Sequence, residues 1–373
     1  MSLDEEIKIA RQQIVKDGYD MSVGELMSLY REQELIINPA FQRYFRWDEG
    51  QKTKFIESLL LGIPIPPIFV FQTDEGTWEL VDGLQRLSTL FEFAGILRNS
   101  AGKRMPPSIL QGTNKLPSLA GRSWKLSRLL GKRGKKNGLT QAQQFDIKRA
   151  RIRVEILGKG TNPYTKFELF QRLNESGSIL TAQEIRTCSM VMVNEAFYQW
   201  IVKLSKSEPF LSMIAQTENA QNKQTPIELT LRFLIHRKIP YQSGLNVHDY
   251  LDDGMLKLAD SYRDGKFDSI MEEEIFYETF SFLDDTVGED VFKRWYGDEK
   301  GFKGKFLISA YQIIAVGVSK YLDTIAQIEN PPEWMREKIE QLWKNNNYSK
   351  CLTGGTFGAM QLSKLLPENF FRP

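Results

Sequence analysis

Two rhythms of apolar residues run along the first half of this chain, and they predict different elements. From Asp48 to Leu61 the apolar positions Phe55, Ile56, Leu59 and Leu60 fall on one helical face, with Asp48 as N-cap and Gly62 as the stop. The IPIPPI run that follows cannot be helix interior, because proline removes a donor and clashes with the preceding turn. Residues 68–81 alternate as a β-hairpin, IFVF and TWELV flanking the turn residues Thr73-Asp74-Glu75-Gly76. Asp82-Gly83 breaks the second strand, and Leu87, Leu90, Phe91 and Phe93 predict a helix after it. Upstream, the pattern predicts a polar helix over 4–18 and a short helix from Met21 to Tyr30, with Ser22 and Glu25 at capping spacing. A short strand follows over Glu34–Ile37, and Asn38-Pro39 turns the chain into FQRYFRW.

Residues 100–140 lose both rhythms. They are rich in Gly, Pro, Ser, Lys and Arg and predict a basic excursion out of the first domain. The strand Arg151–Ile156 returns from it with strict alternation. Asn162-Pro163 opens a helix carrying KFELFQRLN, and Thr181-Ala182-Gln183-Glu184 is a capping box opening another. Segments 183–205, 226–238, 247–262, 267–297, 303–323 and 332–344 all show helical spacing, and a short helix is expected at 358–366. The expected class is α+β, with a mixed domain over 1–180 and a mainly helical domain over 181–373.

Composition narrows the chemistry. The 373 residues carry 49 basic and 47 acidic side chains, net +2, so any basic surface is local. Two cysteines, Cys188 and Cys351, offer no disulfide framework, and no stretch approaches the ~18 apolar residues of a membrane span. The N-terminus has no apolar signal core. These features predict a soluble, cytoplasmic protein. Only two histidines are present, His236 and His248, which leaves Ser-His-Asp catalysis, HNH nuclease chemistry and His-rich metal sites little to draw on. His236 sits in a helical pattern and reads as a packed residue. The late glycine-rich run CLTGGTFGAM lacks a phosphate-loop lysine and reads as turns.

The candidate chemistry lies in two Gln-Arg pairs, Gln42-Arg43 and Gln85-Arg86, the second preceded by Asp82-Gly83-Leu84. Guanidinium groups match phosphate bidentately, and a glycine at a helix start lets an anion approach the backbone. Arg43 and Arg86 are therefore candidate phosphate clamps and stabilisers of a transferring phosphoryl group. Asp82 is a candidate Mg²⁺ ligand or water-orienting carboxylate, or a turn former and cap. Gln42 and Gln85 are candidate ligand contacts, Gly83 the site of close backbone approach, and Asn174 with Arg172 a candidate closing edge. Phe41, Phe45 and Trp47 read as core and pocket wall.

Four segments in order, INPAFQRYFRW, IPIPPIFVF, LVDGLQRLSTL and FELFQRLNESGSILTAQEIR, resemble the N-terminal domain of the GmrSD-type modification-dependent restriction enzymes. The resemblance covers about residues 20–190. It implies a ParB/sulfiredoxin-like fold, nucleoside-triphosphate binding and hydrolysis with Mg²⁺, and a role in DNA restriction and phage defence. The family's central motif is Asp-Gly-Gln-Gln-Arg, and here Leu84 stands at its third position.

A basic cluster around Trp124 comprises Arg122, Lys125, Arg128, Lys132, Arg133, Lys135 and Lys136. Clustered charge neutralises nucleic-acid phosphates and an aromatic stacks on bases, so these residues are candidate DNA contacts; a solvated loop is the plainer reading. With no HNH motif, zinc-spaced cluster or Walker A lysine in the sequence, the expectation is an NTPase that gates a separate nuclease subunit. The alternatives are a non-enzymatic ParB-like DNA-binding module and a stand-alone nuclease.

Overall fold

The computed structural model describes residues 2–5, 16–37, 47–99, 101–125, 137–158, 163–175, 181–214, 224–240, 246–297, 299–346, 348 and 369–373. The chain divides into two compact units, Met1–Ile179 and Leu180–Pro373.

The first unit is built on a mixed five-stranded sheet. Its strands are β1 (Lys16–Ser22), β2 (Leu35–Ile36), β3 (Ile68–Gln72), β4 (Trp78–Asp82) and β5 (Arg151–Leu157), in the order β1-β5-β3-β4-β2. The hairpin β3–β4 is antiparallel, β1 is antiparallel to β5, and β5 lies parallel to β3. Residues 16–18 correct the expected helix over 4–18: they are strand, pairing with Leu157, Ile156 and Glu155. Tertiary pairing overrides a weak local pattern there, and Gly18 permits it, since a Cβ would stand 2.8 Å from the Val154 carbonyl oxygen. Residues 6–15 lie outside the described part of the chain.

Helices cover this sheet at the sites the caps announce. α1 (Val23–Arg31) begins where Ser22 Oγ accepts the Glu25 N–H at 3.1 Å. α2 (Glu49–Leu61) has a reciprocal Asp48–Gln51 capping box and ends at left-handed Gly62. α3 (Leu84–Phe93) follows β4, α4 (Gln141–Arg149) is capped by Thr140, and α5 (Pro163–Glu175) packs against β4. One core joins Leu26, Phe55, Ile56 and Leu59 to Leu87, Leu90, Phe91, Val70, Leu80 and Val154.

The basic excursion is not an excursion at its described ends. Leu110, Leu119, Trp124 and Leu139 are buried in that same core. The Gln111 N–H donates to Thr53 Oγ1 at 3.0 Å, docking the segment on α2. Its apolar residues are too irregularly spaced to announce burial, and α4, which follows it, went unanticipated for the same reason.

The second unit is helical: α6 (Ala182–Val193), α7 (Glu195–Leu204), α8 (Glu208–Met213), α9 (Thr225–Lys238), α10 (Val247–Arg263), α11 (Ser269–Thr286), α12 (Ile308–Ser319), α13 (Leu322–Ile325) and α14 (Pro331–Lys344). The expected 183–205 helix is two, because Asn194 caps the second by accepting the Phe197 N–H. The expected 267–297 helix ends at Thr286, and Gly288, Gly297, Gly301 and Gly304, all at positive φ, carry the chain through a small hairpin, β6 (Arg294–Trp295) with β7 (Phe302–Lys303). An aromatic cluster of Phe210, Phe233, Phe276, Phe280 and Tyr311 fills the unit, with Tyr311 donating to the Leu229 carbonyl at 2.8 Å. Among the described residues no helix is long and apolar enough to cross a membrane.

Candidate functional site

The site is assembled where β4 hands over to α3. Asp82 is the last residue of the strand, and Gly83 turns the chain at φ +104° before the helix begins at Leu84. A side chain at Gly83 would be strained twice: the backbone is left-handed, and a Cβ would lie 2.5 Å from Ile68 Cγ2. The N-cap, Gly83, has no side chain to cap the helix, and its first N–H groups carry the partial positive charge of a helix start. Leu84, the departure from the family pattern, is partly buried and packs on the apolar core.

Arg86 folds back over this turn. Its Nη2 donates to Asp82 Oδ2 at 2.7 Å, and its Nη1 donates to the Pro66 carbonyl oxygen at 2.7 Å. A Cβ at Gly83 would be 3.6 Å from that Nη2. The guanidinium therefore lies against the glycine turn, at the N-terminal end of its own helix. The side chains of Arg86 and Asp82 are 14% and 30% exposed, so the pair remains open to a ligand.

Gln85, the neighbouring motif residue, reaches the other way. Its Oε1 accepts the Trp47 backbone N–H at 3.1 Å. Trp47 packs its ring against Phe55 of α2, at 5.7 Å between centroids. The end of the FQRYFRW segment is thus tied to the DGLQR helix. Phe41, Gln42, Arg43 and Phe45 themselves lie outside the described residues. Arg172 on α5 is exposed and pairs with Glu168 at 3.6 Å. The side chain of Asn174 lies outside the described ones.

Asp82 does not fit a protein-held divalent cation. Mg²⁺ takes oxygen ligands in a near-octahedral set, whereas the Asp82 carboxylate is already engaged by a cation, the Arg86 guanidinium. Among the described residues no group of three or more His, Cys, Asp or Glu could hold a metal ion.

In the basic segment, Trp124 is a core residue. It is 4% exposed and sits edge-on to Phe93 at 5.7 Å, so its ring is enclosed by protein and not presented to a base. Arg122 donates to the carbonyls of Ser118 and Gly138 at 3.2 and 3.4 Å, and Lys125 is exposed. Arg128, Lys132, Arg133, Lys135 and Lys136 lie outside the described residues.

His236 is a packed residue. Its Nε2 meets Gln312 Nε2 at 2.8 Å, its ring lies 5.2 Å from that of Tyr250, and burial, with Arg232 and Lys320 nearby, pushes its pKa down to about 3.

Sequence reasoning missed two features. The Pro66 carbonyl is a backbone group, invisible in residue types, although the IPIPPI run marks its place. A buried polar cluster in the second unit also went unseen. Arg186 Nε donates to Asp252 at 2.7 Å and its Nη1 to Gln183 at 2.7 Å, while Thr187 donates to Gln224 at 2.7 Å. The only signal was the Gln183–Thr187 stretch itself, read as the start of a capped helix.

A mixed-sheet domain whose strand-to-helix turn carries an Asp-Gly-x-Gln-Arg motif is the class this geometry defines. Residues 23–191 match a family model, GmrSD_N, described as the GmrSD restriction endonuclease N-terminal domain. Residues 23–191 are therefore similar to a GmrSD-type restriction enzyme N-terminal domain. No curated protein and no solved structure matches the chain.

Proposed function

We propose that this protein binds and hydrolyses a nucleoside triphosphate within a restriction or phage-defence system, and that hydrolysis gates a separate nuclease acting on DNA. The observation that carries the reading is the Arg86 guanidinium lying against the Gly83 turn at the start of α3. Backbone N–H groups, the helix dipole and a guanidinium converge there on the place an anion would occupy. Among the described residues Arg86 uses two of its five N–H donors, on Asp82 and the Pro66 carbonyl, and in this reading the others serve phosphate oxygens.

Arg43 is the second clamp in this reading. It stands four positions before Trp47, which Gln85 holds, and four steps of chain reach at most about 14 Å. Gln42 would contact the same ligand, and Asn174 at the end of α5 would close the site beside β4. The GmrSD match supports placing this chemistry in DNA restriction. Arg122 and Lys125 would contribute phosphate contacts to DNA, giving affinity that falls with salt.

Nucleotide turnover in the presence and absence of Mg²⁺ tests the proposal, comparing the wild type with Arg86→Ala and Arg43→Ala. Turnover is expected in the wild type and a loss of tenfold or more in each variant, as for removal of a charged phosphate contact. Equal turnover in all three proteins would remove the site.

A further inference from the structure

We infer that Asp82 is a positioning residue: its carboxylate fixes the Arg86 guanidinium against the Gly83 turn and does not serve a divalent cation. The functional consequence rests on the nucleotide reading above; the positioning itself rests on geometry alone.

Three observations carry it. The guanidinium has two anchors on different nitrogens, Asp82 Oδ2 on Nη2 and the Pro66 carbonyl on Nη1, each at 2.7 Å. Two anchors fix the plane of the group as well as its place, so its remaining N–H fork points one way. Both anchors come from residues whose backbone is set by the hairpin: Asp82 ends β4, and Pro66 sits two residues before β3 begins at Ile68. The glycine turn lies between them, with Ile68 closing the space where a side chain would sit.

The charge argument separates positioning from metal binding. A carboxylate beside an anion site repels the anion unless it does something more useful. Holding Arg86 is such a use, because an arginine with up to four free rotors must otherwise be ordered when the ligand binds. A cation on Asp82 would instead lie next to the guanidinium, a like-charge contact within hydrogen-bonding distance. The two roles predict opposite effects of removing the carboxylate when no metal is present.

Binding of inorganic tripolyphosphate in EDTA, measured by calorimetry, reads this directly. With positioning, Asp82→Ala weakens metal-free binding by about tenfold, Asp82→Asn stays within a few-fold because its amide oxygen still accepts from Nη2, and Asp82→Ala/Arg86→Ala is no weaker than Arg86→Ala alone. Asp82→Ala binding as tightly as the wild type or tighter in EDTA, with a loss confined to Mg²⁺, would overturn the inference. A second readout needs no ligand. ¹⁵N-arginine NMR should give a slowly exchanging Arg86 guanidinium signal in the wild type and Asp82→Asn that broadens into the solvent-exposed pool in Asp82→Ala. A signal unchanged in Asp82→Ala overturns the inference whatever the protein binds, and a wild type that binds no triphosphate while passing the NMR test removes the nucleotide reading alone.

Discussion

Gln85 Oε1 accepts the backbone N–H of Trp47 at 3.1 Å, across 38 residues of sequence. Next to it, Arg86 takes hold of Asp82 and the Pro66 carbonyl. The first turn of α3 therefore joins three separate stretches of chain: the end of FQRYFRW, the proline run and the end of β4. The Asp-Gly-x-Gln-Arg motif is a structural junction as well as a candidate ligand site, and single substitutions in it must be read with both roles in mind.

Replacing Gln85 by Ala should release the end of the upstream segment. Amide exchange at Trp47 is expected to accelerate, with a stability loss of about 1 kcal/mol, the usual worth of one such bond. Gln85→Glu keeps the acceptor and should keep the protection. Unchanged exchange at Trp47 in the alanine variant would show that other contacts hold the segment.

Gly83→Ala should be costly in the first unit. The left-handed backbone and the contact with Ile68 both oppose a Cβ, and together they cost about 3 kcal/mol. Denaturant unfolding should shift to a lower midpoint, and Gly83→Ala should cost less in an Ile68→Ala background than in the wild type, since Ile68 is itself a core residue whose own loss must be subtracted. An equal cost in both backgrounds would place the whole effect in the backbone.

Asp252→Ala should destabilise the second unit by about 3 kcal/mol, because it leaves Arg186 charged, buried and short of a partner. One guanidinium nitrogen, Nη2, has no hydrogen-bond partner among the described residues. Burial raises the Asp252 pKa while Arg186 works against that rise. Removing both charges, as Arg186→Met with Asp252→Leu, is expected to cost less than Asp252→Ala, and an additive double variant would count against the pair as the source of the effect.

Trp124→Ala should cost about 3–5 kcal/mol of stability in the first unit, as expected for emptying a core aromatic site. Lys125→Ala should leave stability unchanged, and under the proposed DNA contact it should lower only the salt-dependent affinity. Nucleic-acid binding lost in a Trp124→Ala protein of undiminished melting temperature would reverse this assignment.

His236 makes stability depend on pH. Its pKa is about 3 in the folded chain against 6.5 ordinarily, so below pH 6.5 the unfolded chain takes up a proton that the folded chain refuses. Stability is thus lost as pH falls from 7 towards 4. From pH 7 to pH 5 the wild type is expected to lose about 2 kcal/mol more than His236→Gln, measured by urea unfolding at each pH. Parallel losses in the two proteins would mean that the ring titrates normally.

Local signals were the legible part of this fold. Asp48, Thr181 and Ser22 cap the helices that their spacing announces, Gly62 ends one, and the TDEG turn makes the hairpin. Each of these depends on residues within about four positions of one another, so the sequence determined them alone. The same holds for the strand-to-helix turn at Asp82-Gly83, since only glycine is at ease at φ +104°.

Tertiary structure decided what lies far apart along the chain. β5 enters the sheet between β1 and β3, and that pairing turned residues 16–18 into strand against their local pattern. Trp124 went into the core because Phe93 offers it a face, although its basic neighbours mark it as surface. The partners of Arg86 show the division most plainly. Asp82 stands four residues away, a spacing that pairs side chains on a helix, yet here one partner ends a strand and the other starts a helix. Pro66 contributes a carbonyl from a run with no polar side chain at all. Sequence names the groups that can bind charge; which of them are already bound to one another is a matter of distances that only the folded chain sets.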